Sequence, residues 1–337
     1  MKILRYILFP IVPIYYLVTW LRNKFYDIKI FKSSEFNVAS ICVGNLSVGG
    51  TGKSPMIEYL IRLFSEEYFV ATLSRGYKRS TDGFIIADEN DSAATIGDEP
   101  YQFYRKFDNI IVSVDTDRRH AISELLKLPK PPQLILLDDA FQHRKVKATS
   151  SILLTAYDEL YVDDIPLPTG DLREPKSGAK RADVIVVTKC PPSILKSQKE
   201  RIETLLKPQI YQKVFFSSIN YSDVIISSVE ERPLEFLFQR KVALVTGIAN
   251  PKPLIEHLKS KKLKFEHLNF DDHHQFSHKE IDQLKSKEFI LTTEKDFMRL
   301  SPFFPGNNNI FYLPIELKID REEEFQNIIR SKIIPME

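Results

Sequence analysis

Cysteine is nearly absent from this sequence: Cys42 and Cys190 are the only two. They stand at the ends of apolar runs, far apart and in no metal-type spacing. That excludes a disulfide framework and a thiolate zinc site, and reads as buried thiols in a reducing compartment. An excess of charge of either sign is missing too. Lys and Arg number 47 against 45 Asp and Glu, a net charge of +2, too even to argue for a nucleic-acid partner. No internal repeat and no low-complexity segment occurs. Nor is there an apolar run of membrane-spanning length. Tyr6 to Leu21 carries no charge, but as a helix it would reach only about 24 Å, short of a hydrocarbon core of roughly 30 Å. Pro10 and Pro13 would disturb such a helix further. The lack of a small-residue cleavage site argues against a secretory signal. Lys2 and Arg5 flank it on one side and Arg22 and Lys24 on the other, while Tyr15, Tyr16 and Trp20 are residue types that favour the water–lipid boundary. It could pack on the protein's own core; the expectation here is a helix, within residues 1–24, lying in a membrane face or entering one leaflet.

What is present is a globular chain of 337 residues, 43% hydrophobic and 27% charged, long enough for two domains. The stretch from Val38 to Ser54 organises it. An apolar strand-type run leads into Gly44-Asn45-Leu46-Ser47-Val48-Gly49-Gly50-Thr51-Gly52-Lys53-Ser54, and an apolar helix-type pattern follows to about Phe64. Strand, glycine-rich loop and helix are the context of a phosphate-binding P-loop. Residues 47–54 are the candidate nucleotide cradle. Lys53 would reach the β- and γ-phosphates, and the Ser54 hydroxyl would ligate Mg²⁺. Pro55 suits the first helical turn. Ser47 stands where the pattern G-x-x-x-x-G-K-[ST] has its first Gly.

Further apolar runs at Phe69–Leu73, Ile110–Val114, Leu134–Leu137, Ser151–Thr155 and Val184–Thr188 alternate with helical patterns. Such alternation predicts an α/β fold, a doubly wound, mostly parallel sheet with its site at the carboxyl ends of the strands. Residues 25–210 are expected to form this core, 211–240 to be extended joining segments, and 241–337 a smaller α/β domain closing a cleft.

Asp138-Asp139 end an apolar strand as a Walker B carboxylate does, which makes them candidate Mg²⁺ ligands opposite Ser54. Gly97-Asp98-Glu99-Pro100 puts two acids in a polar loop. Asp98 is the candidate to orient an acceptor hydroxyl and take its proton, and Glu99 a further candidate metal ligand. Arg75 and Tyr77, Gln142 and His143, and Arg173 and Glu174 are candidate substrate contacts. Arg173 suits a bidentate grip on phosphate, and Glu174 could accept hydroxyl hydrogen bonds. Asp271-Asp272-His273-His274 is the densest acid and imidazole cluster. It could be a divalent metal site, a pH-sensitive surface loop, or the source of a His that pairs with the catalytic Asp.

Two absences narrow the nucleotide chemistry. A GTPase would show Asn-Lys-x-Asp after a late strand, where this chain reads Thr188-Lys189-Cys190-Pro191. Partitioning-type ATPases carry a Lys where Val48 stands. An ATP-using kinase loop is left, with a soluble P-loop kinase of another small molecule, or a nucleotide switch, as the alternatives.

The ordered motifs G-N-L-S-V-G-G-T-G-K-S-P (44–55), S-R-G-Y (74–77), G-D-E-P (97–100), D-D-A-F-Q-H (138–143), L-P-T-G-D-L-R-E-P (167–175) and D-D-H-H (271–274) resemble the tetraacyldisaccharide 4'-kinase family. An apolar N-terminal segment precedes them, as in the family. Ala140 replaces a usual Gly, and Asp271-Asp272 a usual Pro-Asp. The resemblance implies transfer of the γ-phosphoryl of ATP, with Mg²⁺, to the 4'-hydroxyl of a tetraacyl glucosamine disaccharide 1-phosphate. The product would be lipid IVA, late in lipid A biosynthesis. It implies a location at the cytoplasmic face of the bacterial inner membrane; the chain is expected to act as a monomer and without nucleic acid. It also implies an Asp–His dyad, whose Asp falls on Asp98 and whose His falls on His273 or, alternatively, His274.

Overall fold

The structure, a computed structural model, describes residues 5–272, 274–306 and 309–333. Eight strands follow the N-terminal helix: β1 (Ala39–Asn45), β2 (Val70–Ser74), β3 (Ile85–Ile86), β4 (Ile111–Val114), β5 (Leu134–Asp138), β6 (Ser150–Ala156), β7 (Val184–Thr188) and β8 (Lys213–Tyr221). The second region adds β9 (Val224–Ile226), β10 (Glu231–Pro233), β11 (Val242–Thr246), β12 (Glu266–Asn269), β13 (Phe289–Thr292) and β14 (Ile310–Tyr312), and the chain returns with β15 (Ile315–Ile319).

Nine strands make the large sheet, in the order β15-β8-β7-β6-β1-β5-β2-β4-β3. Those from β8 to β4 run parallel, and only the edge strands β3 and β15 are antiparallel. Strand β1 is central, with β5 and β6 as neighbours. The apolar runs are uninterrupted because both faces are covered. Ile41, Val43, Leu134 and Leu136 join the helix Lys53–Phe64 in one core. Cys42, Ile135, Leu137 and Leu153 enter the other. Both cysteines are buried and free.

Two boundaries differ from the sequence expectation. Strand β8, placed in a joining segment, is part of the large sheet because Val214, Phe215 and Phe216 are buried beside β7. The C-terminal segment also belongs there. Strand β15 pairs with β8, and the helix Glu322–Ile333 buries Phe325, Ile329 and Ile333, spaced on one helical face, in the same core as the P-loop helix. The smaller unit is therefore the six-stranded sheet β10-β9-β14-β13-β11-β12 and its helices.

The N-terminal segment is not one helix from Tyr6. A 3₁₀ turn at Tyr6–Ile11, containing Pro10, precedes an α-helix at Val12–Asp27. Pro13 falls in that helix's first turn, where its missing N–H has no intrahelical partner to lose. Among the described residues no helix is long and apolar enough to cross a membrane.

Candidate active site

Loop 46–52 leaves the end of β1 and enters the helix Lys53–Phe64 through Gly52, whose φ of 84° lies in the left-handed region that favours glycine. The loop is braced from three sides. Asn45 donates to Thr51 Oγ1 (2.8 Å), the Thr188 hydroxyl to the Thr51 carbonyl (2.8 Å), and the Val48 N–H to the Asp171 carbonyl (2.7 Å). Ser47 forms an antiparallel bridge with Leu172 and is not left-handed. A glycine is therefore not required there.

The register Val43↔Asp138 sets the acid pair one strand from this loop. Asp138 is buried; its Oδ2 accepts from the Ser74 hydroxyl (3.1 Å), while its Oδ1 has no hydrogen-bond partner. Burial, with the charges of Glu99 and Asp139 adding, pushes its pKa up to about 6. Asp139 takes a left-handed φ of 45°. Its carboxylate receives both Arg173 NH2 (2.7 Å) and NH1 (3.2 Å), with Lys53 Nζ at 3.8 Å. Burial pushes Asp139 up, but Lys53 and Arg173 outweigh it and hold this carboxyl below its ordinary range.

These contacts correct three expectations. The Arg173 fork, expected to grip phosphate, is engaged by Asp139 and by the carbonyl and side-chain oxygens of Asn45. Glu174, expected to accept substrate hydroxyls, is buried and accepts from Arg181 (2.8 Å twice), Gln142 (2.9 Å) and Asn23 (2.7 Å). Its four hydrogen bonds occupy the lone pairs a sugar would need. Gln142 in turn bridges Glu174 and the Asn45 carbonyl (2.8 Å). All three brace the loop. His143 is kept neutral by burial, next to Arg118, which lowers its pKa to about 4.

Arg75 and Tyr77 are exposed beyond β2. Their loop lies against Asp98 because Gly76 and Gly97 touch: a Cβ on Gly97 would come within 3.2 Å of Gly76 Cα, and both have left-handed φ, +67° and +97°. A side chain at either position would be strained by the left-handed φ, and one at Gly97 would crowd the Gly76 backbone.

Asp98 and Glu99 open the helix Asp98–Lys106, and the smaller unit covers them with its helix Glu294–Leu300. Arg299 donates to Asp98 (2.6 Å) and to Asp296 (3.1 Å), and Lys295 to Glu99 (3.0 Å). Behind them Lys106 Nζ sits between Glu58 (2.6 Å) and Glu294 (2.7 Å). Sequence reasoning missed these partners. The signal was Thr293-Glu294-Lys295-Asp296 at a strand end, without anything to say what it faced.

His274, the alternative partner for Asp98, is taken by Glu280 (3.1 Å) and packed against Phe270 and Phe276. His273 lies outside the described residues. Among the described residues no group of three or more His, Cys, Asp or Glu is arranged to hold a metal. The residues near the P-loop suit Mg²⁺, which takes one or two carboxylates and completes its shell with phosphate and water. Asp138 Oδ1, buried without a hydrogen-bond partner, and Ser54, in the first turn of the P-loop helix, have the donor chemistry that fits it.

The N-terminal segment closes one side of the site, and its α-helix is Val12–Asp27. Tyr15 donates to the Arg173 carbonyl (2.9 Å), Arg22 to the Gln142 carbonyl (2.7 Å), and Arg5 to the Pro168 carbonyl (3.0 Å). A cavity of about 760 Å³ opens beside its C-terminal end, lined by Tyr26, Phe141, His143, Arg118 and Arg181 among others.

A P-loop after the central strand of a parallel sheet, an acid pair on the adjacent strand, and a second α/β unit over the cleft define an α/β P-loop nucleotide-binding protein of the phosphotransferase kind. The model of the tetraacyldisaccharide-1-P 4'-kinase family, LpxK, matches residues 4–334. The chain belongs to that family. It is 49% identical over 319 residues to the tetraacyldisaccharide 4'-kinase of Flavobacterium johnsoniae, covering 94% of this chain and 93% of that one. It is 43% identical to that of Bacteroides thetaiotaomicron, with 96% and 92% covered. A crystal structure of LpxK from Aquifex aeolicus in complex with ATP superposes with a TM-score of 0.80 at 31% identity, over 98% of this chain and 99% of that one.

Proposed function

We propose that this enzyme phosphorylates the 4'-hydroxyl of a tetraacyl glucosamine disaccharide 1-phosphate with ATP, giving lipid IVA, as a monomer at the cytoplasmic face of the inner membrane. The observation that carries the reading is full-length likeness to an ATP-bound LpxK, joined to a braced P-loop one strand from the acid pair Asp138-Asp139. Residues 47–54 cradle the phosphates, and Lys53 exchanges Asp139 for the β- and γ-oxygens. Ser54 and Asp138 would hold Mg²⁺, with Asp139 and Glu99 bordering it. The ion supplies charge neutralisation on the β- and γ-phosphates. Asp98 orients the 4'-hydroxyl and accepts its proton, and His273 is the partner that would hold Asp98. The test is transfer of labelled phosphate from ATP to extracted lipid A precursor. ADP formation indifferent to the lipid would favour the nucleotide-switch alternative and sink this reading.

Asp138 makes the metal reading pH-dependent. Its folded pKa is raised from 3.8 to about 6, so the folded protein binds the extra proton, and this carboxyl's contribution to stability falls as pH rises through that window. A cation competes with that proton. Thermal stabilisation by Mg²⁺-ATP is therefore expected to weaken as pH falls below about 6, and to lose that pH dependence in Asp138→Asn. A melting series that keeps the same dependence in the variant would exclude Asp138 as the ligand.

Membrane contact rests on the surface of the N-terminal segment, where Ile7, Ile14, Leu17 and Val18 are 73%, 64%, 53% and 60% exposed. Such a continuous apolar face fits insertion into the headgroup and acyl boundary. Leu17→Glu with Val18→Glu is expected to weaken co-sedimentation with anionic vesicles by at least tenfold, since each apolar side chain removed from water contributes about 1.5–3 kcal/mol. The melting temperature should change little. Unchanged sedimentation would exclude this face as the contact.

A further inference from the structure

Arg299 reaches Asp98 from the smaller unit. Arg299 lies on the helix Glu294–Leu300, is 11% exposed, and bridges two carboxylates. One of them, Asp296, is wholly buried and also accepts from the Gly247 N–H (2.9 Å) and the Thr293 hydroxyl (2.7 Å). Gly247 begins the loop after β11 and abuts the acid and imidazole loop: a Cβ there would lie 3.2 Å from the Asp271 carbonyl and 3.6 Å from His274 Cβ. Asp296 is thus an anchor between the loop 271–274 and the Arg299 guanidinium. The other end of that guanidinium makes a short, charge-assisted bond to Asp98 across the cleft.

We propose that Arg299, anchored by Asp296, is a positioning residue for phosphoryl transfer, fixing the Asp98 carboxylate relative to the loop 271–274. This rests on the reading of Asp98 as the carboxylate that receives the acceptor hydroxyl. A guanidinium is donor only, so Arg299 offers no acceptor for the hydroxyl proton. Its contribution is geometric: proton acceptance requires Asp98 within hydrogen-bond reach of the hydroxyl, and a displacement of about 1 Å can lower a rate about 100-fold. Docking of the two units does not depend on it. Lys106, between Glu58 and Glu294, and Lys295, on Glu99, tie the same interface independently.

The test compares Arg299→Lys, Arg299→Met, Arg299→Ala and Asp98→Asn, and Arg299→Met combined with Asp98→Asn, in the full-length enzyme with lipid precursor in mixed micelles. Arg299→Met is expected to lower kcat by about 10- to 100-fold, with KM for ATP and melting temperature close to wild type. Arg299→Lys should recover part of the loss, and added guanidinium should partly restore Arg299→Ala. In the Asp98→Asn background, Arg299→Met should cost nothing further, the mark of two residues acting as one unit. A fully active Arg299→Met enzyme beside an inactive Asp98→Asn overturns this proposal alone, as does an equal loss in both backgrounds. An Asp98→Asn enzyme of normal activity overturns the reading of Asp98 and this proposal with it.

Discussion

Lys53→Ala is expected to abolish measurable lipid phosphorylation, a fall in kcat of about three orders of magnitude or more, on the scale of charged groups acting on a transferring phosphoryl. Lys53 is the first residue of its helix and sits at the opening of the cradle, with Nζ 3.8 Å from Asp139. That distance is a loose ion pair, easily exchanged for a phosphate oxygen. Losing Lys53 does not strand Asp139, because Arg173 holds both of its oxygens. The folded state should therefore survive, and melting temperature separates lost chemistry from lost structure. Lys53→Arg should not restore turnover. A planar fork cannot replace a compact ammonium in a loop closed by the Asn45–Thr51 and Thr188–Thr51 bonds. Transfer at near-normal rate in Lys53→Ala would remove the P-loop role altogether.

The strand–loop–helix of residues 39–64 and the strand-end position of Asp138-Asp139 were legible because their parts are local. A P-loop is a contiguous run, and a strand-end acid pair announces itself by the apolar residues before it. The Gly76–Gly97 contact joins two motifs visible in the letters, though their contact is not. What stayed hidden depends on partners far apart in the chain. Arg173 and Glu174 looked like substrate contacts because an Arg-Glu pair in a turn-rich loop has no local clue that Asp139, Arg181 and Asn23 will engage it. Arg299 meets Asp98 across 201 positions, and no periodicity records such a pair. The return of β15 was missed for a related reason. An edge strand and its helix read alike whether they finish a small sheet or rejoin a large one, and burial of Phe325 and Ile329 against the P-loop helix decides between the two.

Asp98→Asn carries the second large expected effect: loss of kcat by about 10²- to 10⁴-fold, the usual scale for removing general acid–base help, with ATP affinity retained. The substitution separates charge from shape. Asn keeps an oxygen that can accept from Arg299, so the bridge from Asp296 survives, but it cannot take the proton of a hydroxyl. Asp98 opens the helix Asp98–Lys106, where a negative charge interacts favourably with the helix end. That contribution is on the order of 0.3–1 kcal/mol, far too small to unfold the protein and readable as a small drop in melting temperature. Asp98→Ala would be the poorer choice, since it removes the acceptor for Arg299 as well as the base. The decisive measurement is single-turnover transfer from labelled ATP, beside nucleotide binding to the same preparation. Slow transfer with intact binding assigns Asp98 to the acceptor side of the reaction. Weakened ATP binding would instead move it to the donor side, with Glu99 and the metal. Neither effect would leave the Asp98–Arg299 pair as a strut between the two units.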